Sequence, residues 1–157
     1  TPSSVRPGVR LAVDVGTVRV GIARSDPAGV LAVPVETTPR DQAHDRLREL
    51  VVEYSPLEVI VGRPVGLSGR QTASTRDAES FAQQLANDLA CPVRLVDERL
   101  STVEASAATR RAGHTAKSER AIIDQAAAVI ILQHSLDSET RGGVVAGQIV
   151  EKTEGGQ

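Results

Sequence analysis

The chain has 157 residues, 40% of them hydrophobic and 1% aromatic, so its core must be built from Val, Ile, Leu and Ala. A length of this order buries roughly 70% of the unfolded surface in one domain without staples. The scarcity of rings excludes a base-stacking single-strand module, the formal net charge of −2 excludes recruitment of nucleic acid by a global positive field, and the single Cys91 excludes an internal disulfide or a multi-cysteine zinc site.

Residues 1–9 read as a flexible lead-in. Arg10 to Asp14 alternates as a strand with Leu11, Val13 and Val15 on one face, and Gly16-Thr17 is the turn into a second strand, Val18 to Ala23. Pro27-Ala28-Gly29 marks another turn before a β-rich run from Val30 to Thr37, which completes an antiparallel meander. Ala43, Leu47, Leu50, Val51 and Tyr54 then fall on one helical stripe, with Asp41 as the expected N-cap and Ser55-Pro56 as the stop.

Val59-Ile60-Val61 has the unbroken apolar character of a strand buried on both faces. After a Gly/Pro-rich loop from Gly62 to Gly69, a helix capped near Ser74 carries Ala78, Phe81, Ala82, Leu85 and Leu89. Val93 to Val96 gives another buried strand, ending at Asp97-Glu98. Ser101 opens a helix to about Ala112, and the last helix runs from Glu119 to about Leu136.

The order βββαβαβαα predicts an α/β domain over residues 10–137, a mixed five-stranded sheet with helices on both faces. The Gly- and charge-rich stretch 138–157 reads as a mobile tail. No apolar run approaches a membrane span and residues 1–9 lack a signal-peptide core, which predicts a cytoplasmic protein without membrane contact. The absence of Met predicts that the natural start precedes residue 1. Cys91 is read as a packing residue rather than an intermolecular disulfide, although a homodimer is compatible with the sequence.

Three carboxylates stand in places where a charge is costly. Asp14 ends an apolar strand; its local alternative is a hydrogen-bond acceptor for the following turn. Glu98 and Asp97 lie at the carboxyl end of a parallel strand, where ligands collect in open α/β sheets. Strand alternation points only one of the two toward Asp14, and a solvated cluster or a helix cap is the other reading. Asp124 shares a helix face with Ala127, Ala128 and Ile131, so it belongs to the buried stripe and needs a cationic partner or another satisfied acceptor role.

Converging carboxylates repel, and divalent ions are the usual remedy. All-oxygen ligation selects Mg²⁺ or Mn²⁺, and two such ions about 3.5–4 Å apart would clamp a scissile phosphate for phosphodiester hydrolysis.

The blocks Asp14-Val-Gly-Thr-Val-Arg-Val-Gly-Ile-Ala-Arg-Ser-Asp26-Pro, Val61-Gly-Arg-Pro-Val-Gly66, Asp97-Glu-Arg-Leu-Ser-Thr102 and Ile123-Asp-Gln-Ala-Ala-Ala-Val-Ile-Ile-Leu-Gln133 closely resemble the YqgF (RuvX) family. They span about residues 10–136 in the family's order. The resemblance implies an RNase H-like nuclease acting on structured nucleic acid, with metal ligands at the matching Asp14, Glu98 and Asp124. Members are described either as nucleases maturing the precursor of small-subunit (16S) ribosomal RNA or as Holliday-junction resolvases acting on branched DNA; the first is the expectation adopted. Departures are Ser101, where the family often has Thr, and Arg63, where it often has Leu.

Around this trio, Thr17 in the Gly16-Thr17 turn is a candidate phosphate contact, or part of a plain hairpin turn. Arg19 and Arg99 could hold phosphates or neutralise the carboxylates. Arg110, Arg111, His114, Lys117 and Arg120 form the one local basic patch, read either as a phosphate-positioning flap or as solvated helix ends. His114 is a candidate general base or simply an exposed loop residue.

Two rival classes stand beside the nuclease. The Asp-Val-Gly-Thr hairpin also resembles the phosphate-binding turn of actin/sugar-kinase ATP-binding proteins, which close two such domains on a nucleotide where this chain supplies one. A non-catalytic binding module would have no need of three buried acids.

Overall fold

The computed structural model describes residues 6–65, 71–98 and 116–153, the side chains of 116–125 excepted. The strands are β1 (Arg10–Val15), β2 (Arg19–Ser25), β3 (Ala32–Pro39), β4 (Glu58–Arg63), β5 (Val93–Asp97) and β6 (Gln148–Ile149). The described α-helices are α1 (Ala43–Tyr54), α2 (Ala73–Asp88) and α3 (Ala116–Gly142). The strands form one sheet in the order β3-β2-β1-β4-β5-β6. β1, β4 and β5 run parallel, and β3, β2 and β6 run antiparallel to their neighbours.

The sheet's two faces follow from strand alternation. Leu11 and Val13 of β1 join Val20, Ile22, Val59, Val61 and Val93 in a core closed by Leu47 and Leu50 of α1 and Phe81 and Leu85 of α2. Ala12, Ala23, Ala32, Ile60 and Val96 face the other way, against Ala128, Ile131, Leu132 and Leu136 of α3. Small residues on that second face let a single helix lie close to the strands. Asp14 shares the parity of Ala12 and therefore belongs to the α3 side.

Several expected boundaries are corrected. The sheet has six strands rather than five, because Gln148–Ile149 pairs with Arg94 and Leu95. Residues 148–153 are tied further by Val150 N–H donating to Val93 O at 2.8 Å and by Gln83 Nε2 donating to Glu151 O at 2.8 Å. Asp41 does not cap α1: it lies in a 3₁₀ turn (Arg40–Gln42), and the helix starts from Gln42 without a side-chain cap. α2 is capped by Thr72 instead of Ser74, in a reciprocal box with Thr75.

α3 continues past Leu136 to Gly142, beyond the point where the apolar stripe ends. Charge pairing explains the extension. Glu139 is buried at 4% exposure, accepting from Arg6 Nη2 at 2.7 Å and pairing with Arg10 Nη2 at 3.1 Å. Glu58, equally buried, accepts from Arg6 and Arg94. Burial alone would raise the Glu139 carboxyl, but the hydrogen bonds from Arg6 and the charge of Arg10 outweigh it and hold the group at about 2. This cluster joins the lead-in, β1, β4, β5 and the end of α3.

Cys91 is half-buried against the α1/α2 core, and burial raises its thiol, as suits a packing residue. Among the described residues no helix is long and apolar enough to cross a membrane.

Candidate metal centre

Asp14 is the penultimate residue of β1 and is half-buried. Its backbone is pinned by pairing with Gly21 of β2, while the preceding Val13 pairs with Val61 of β4. The next residue along β4 is Gly62, which pairs with Val96 of β5. Glu98 follows immediately after β5, its N–H donating to Arg63 O at 3.1 Å.

Gly62 therefore lies between the two acids, and its lack of a side chain is what admits Glu98. A Cβ built on it would collide with Glu98 Oε2, and would lie 2.5 Å from Ile131 Cδ1 and 3.2 Å from Glu98 Cδ. The Glu98 carboxyl is thus seated in a cleft between the sheet and α3. Desolvation in that seat, then the charge of Asp14 and a hydrogen bond shared with it, raise the Glu98 carboxyl far above its ordinary range. Its Oε2 is buried and has no hydrogen-bond partner.

A buried, unsatisfied carboxylate oxygen beside a second carboxylate is an energetic fault unless something positive occupies the place. The donors are oxygens alone, which suits Mg²⁺ or Mn²⁺. The described residues fit such an ion to the extent of two ligands; no group of three acids or histidines converges among them. Asp124 lies on the backbone of α3, with its side chain outside the described residues. Its helical neighbours by spacing, Ala127, Ala128 and Ile131, are buried, the last two in the core between the sheet and α3. Because Glu139 meets Arg10 while Ile131 reaches Gly62, α3 runs antiparallel to β1, and its N-terminal part leads past the carboxylate end of the strands.

Asp97 faces away from Asp14, exposed, with Arg63 Nε at 3.8 Å. Thr17 is exposed at the hairpin tip, and Arg19 is half-buried where β2 begins. Arg99, Arg110, Arg111 and His114 lie outside the described residues, as do the side chains of Lys117 and Arg120. Gly62 stands in the sequence only as a motif member and as the start of a Gly/Pro-rich loop, whereas it lies inside β4, paired with Val96. Its function as the seat of Glu98 needs the register of three strands, which no local spacing displays.

The sequence profile of RuvX, described as Holliday junction resolvase, matches residues 8–138. The chain belongs to the RuvX family. Among RuvX relatives, a protein of Clavibacter michiganensis is 52% identical over 152 residues, covering 94% of each chain, and bears the name "Putative pre-16S rRNA nuclease". A Streptomyces coelicolor protein of the same name is 53% identical over 151 residues, covering 94% of this chain and 90% of its own. The Thermus thermophilus RuvC structure superposes with a TM-score of 0.54 at 19% identity, over 89% of this chain and 99% of that one. RuvC in complex with a Holliday junction substrate gives a TM-score of 0.53. These neighbours give the RuvX chain the RNase H-like fold. The family match also sets aside the actin/sugar-kinase and non-catalytic alternatives.

Proposed function

We propose that this RuvX chain is a divalent-metal-dependent nuclease that hydrolyses phosphodiester bonds in the precursor of 16S ribosomal RNA. The observation that carries the metal dependence is the Asp14–Glu98 pair across Gly62, with Glu98 Oε2 buried and unpartnered. The names of the relatives support the RNA substrate.

In this reading Asp14, Glu98 and Asp124 hold Mg²⁺ or Mn²⁺ in a two-ion site. When bound, the ions polarise a phosphate oxygen and lower the pKa of water. The chain's own contribution is positional. Pairing with Gly21 of β2 fixes Asp14, the Gly62 gap admits Glu98, and Ile131 of α3 packs against that gap. Thr17 and Arg19 border the site from the hairpin tip and would orient a phosphate. Arg99, Arg110, Arg111, Lys117 and Arg120 would hold the flanking backbone, contributing affinity without sequence preference.

A branched-DNA substrate is the second reading, favoured by the family's description and by the RuvC complex with a Holliday junction. Side-by-side cleavage of a precursor 16S RNA fragment and a four-way DNA junction, in Mg²⁺, Mn²⁺ and chelator, tests both. Preferential metal-dependent cleavage of the RNA supports the first reading. Preference for the junction replaces it with the second, and cleavage of neither overturns the nuclease assignment.

A further inference from the structure

Arg40 stands where three elements meet. Its backbone N–H donates to Val18 O at 2.9 Å, and its Nη1 donates to Gly16 O at 2.8 Å. The same guanidinium grips Asp77 of α2 with both ends, Nη1 to Oδ2 and Nη2 to Oδ1, each at 2.9 Å. Its carbon lies 5.1 Å from the centroid of the Phe81 ring. A bidentate carboxylate and an aromatic face together fix the guanidinium plane, so the remaining Nη1 donor is aimed at the Gly16 carbonyl.

What Arg40 holds is the tip of the β1–β2 hairpin. Gly16 N–H donates to Arg19 O at 2.9 Å and closes the turn that carries Thr17 and Arg19. Asp14, two residues earlier, is already fixed by its pairing with Gly21. Beyond the Val15–Val20 pair, residues 16–18 lie outside the strand pairing, and there Arg40 supplies hydrogen bonds to two carbonyls, Gly16 O and Val18 O. α2 also reaches the other segment flanking the carboxylates: Thr75 Oγ1 donates to Pro64 O, and Glu79 lies 3.3 Å from Arg63 Nε.

We propose that Arg40 and Asp77 form a positioning clamp that sets the Gly16–Arg19 tip for phosphate binding by bracing it against α2. This rests on the nuclease reading and assigns to that site two residues that themselves touch no substrate. Hydrogen bonding from Arg40 lowers the Asp77 carboxyl, and Arg40 is raised in turn by Asp77. The clamp acts on binding rather than on the chemical step, because Asp14 is held independently of it.

The test compares Arg40→Met, Arg40→Lys and the charge-swapped double variant Arg40→Asp/Asp77→Arg in the full chain. The swap restores opposite charges but offers Gly16 O no donor at position 40, since an ionised carboxylate only accepts. Two readouts are taken: amide hydrogen exchange at residues 16–19 without substrate, and steady-state cleavage of the RNA and junction substrates. Arg40→Met should speed exchange at the tip about tenfold while leaving Leu47 protected, a local opening rather than a global one. KM should rise about fivefold or more with kcat within about twofold, the pattern of lost binding. Arg40→Lys, which cannot serve both carboxylate oxygens and Gly16 in one plane, should show the same pattern even if Arg40→Met fails to fold.

The swap should recover melting temperature but neither tip protection nor KM. Recovery of KM by the swap, or unchanged tip exchange in Arg40→Lys, overturns the clamp and leaves a plain surface ion pair. If the wild type cleaves neither substrate, the nuclease reading fails, and tip exchange alone still decides whether the clamp exists.

Discussion

Asp14 near the end of β1 and Glu98 just past the end of β5 are separated by β4, and their carboxyl groups nevertheless share a hydrogen bond, because the residue between them is Gly62. The chemistry proposed for the chain depends on that missing side chain as much as on the two acids.

Gly62→Ala therefore tests the seat without touching a ligand. The added methyl collides with Glu98 Oε2 and crowds Ile131. Overpacking of this kind costs about 1–3 kcal/mol of stability. Displacement of the Glu98 carboxyl should lower cleavage about a hundredfold, since small misplacements of reacting groups carry penalties of that order. Activity and melting temperature measured together check this. A variant that loses stability but keeps wild-type turnover contradicts the role given to Gly62.

The raised Glu98 carboxyl has a signed consequence for stability in chelator. Its ordinary value is 4.5 and its folded value is higher, so across the interval between them the folded state binds more protons than the unfolded state. Stability from this group is complete below the ordinary value and is lost as pH rises above it. Melting temperature in chelator should fall from pH 5 toward pH 8, and Glu98→Gln should flatten that fall. An unchanged slope in the variant would assign the pH dependence to other groups.

Glu139 behaves in the opposite sense. Held at about 2 against an ordinary 4.5, it stabilises the fold above the ordinary value, and the contribution drains away as pH falls toward 2. Glu139→Gln leaves the buried Arg10 without its anion and Arg6 with Glu58 alone, and should cost about 3–5 kcal/mol at neutral pH, as expected for one broken partner in a buried pair. Denaturant unfolding of the variant at pH 7 and pH 3 measures both effects. A loss as large at pH 3 as at pH 7 contradicts the ion-pair account.

The basic residues before Asp124 make a different kind of claim. Replacing Arg110, Arg111, Lys117 and Arg120 together by Ala should weaken nucleic-acid binding and flatten its salt dependence, each phosphate contact contributing a slope of about −0.9 on duplex DNA. Saturating substrate should restore most of the turnover. Binding and cleavage across a salt series test this; an unchanged slope makes these residues a solvated surface.

Local patterns made most of the fold legible in advance. The alternation of Leu11 and Val13 against Ala12 and Asp14, the stripe Ala78-Phe81-Ala82-Leu85, and the inward face Ala127-Ala128-Ile131 all correspond to observed burial. The end of α3 was not legible, because Asp137 to Arg141 is polar and Glu139 is buried through Arg6 and Arg10, partners more than a hundred residues away in sequence. β6 was hidden for a related reason: two residues in a Gly-rich stretch carry no periodicity. Asp14 and Glu98 were legible as candidates because each acid closes an apolar strand. Their relationship through Gly62, and the hold of Arg40 on Gly16, arise only from register and tertiary packing.

The central claim is that the Asp14–Glu98 seat binds the cation that makes the chain a nuclease, and one measurement addresses it most directly. Single-turnover cleavage of precursor 16S RNA is followed across a Mn²⁺ titration for the wild type and for Asp14→Asn, with melting temperature recorded at each concentration. Binding to the native state alone adds about 2.7 kcal/mol at a hundred times Kd. The account predicts a wild type that is inactive in chelator, is activated by Mn²⁺ and is stabilised in parallel. It also predicts a folded Asp14→Asn protein with neither response. Full wild-type cleavage in chelator, or an Asp14→Asn protein that responds to Mn²⁺ as the wild type does, would contradict it.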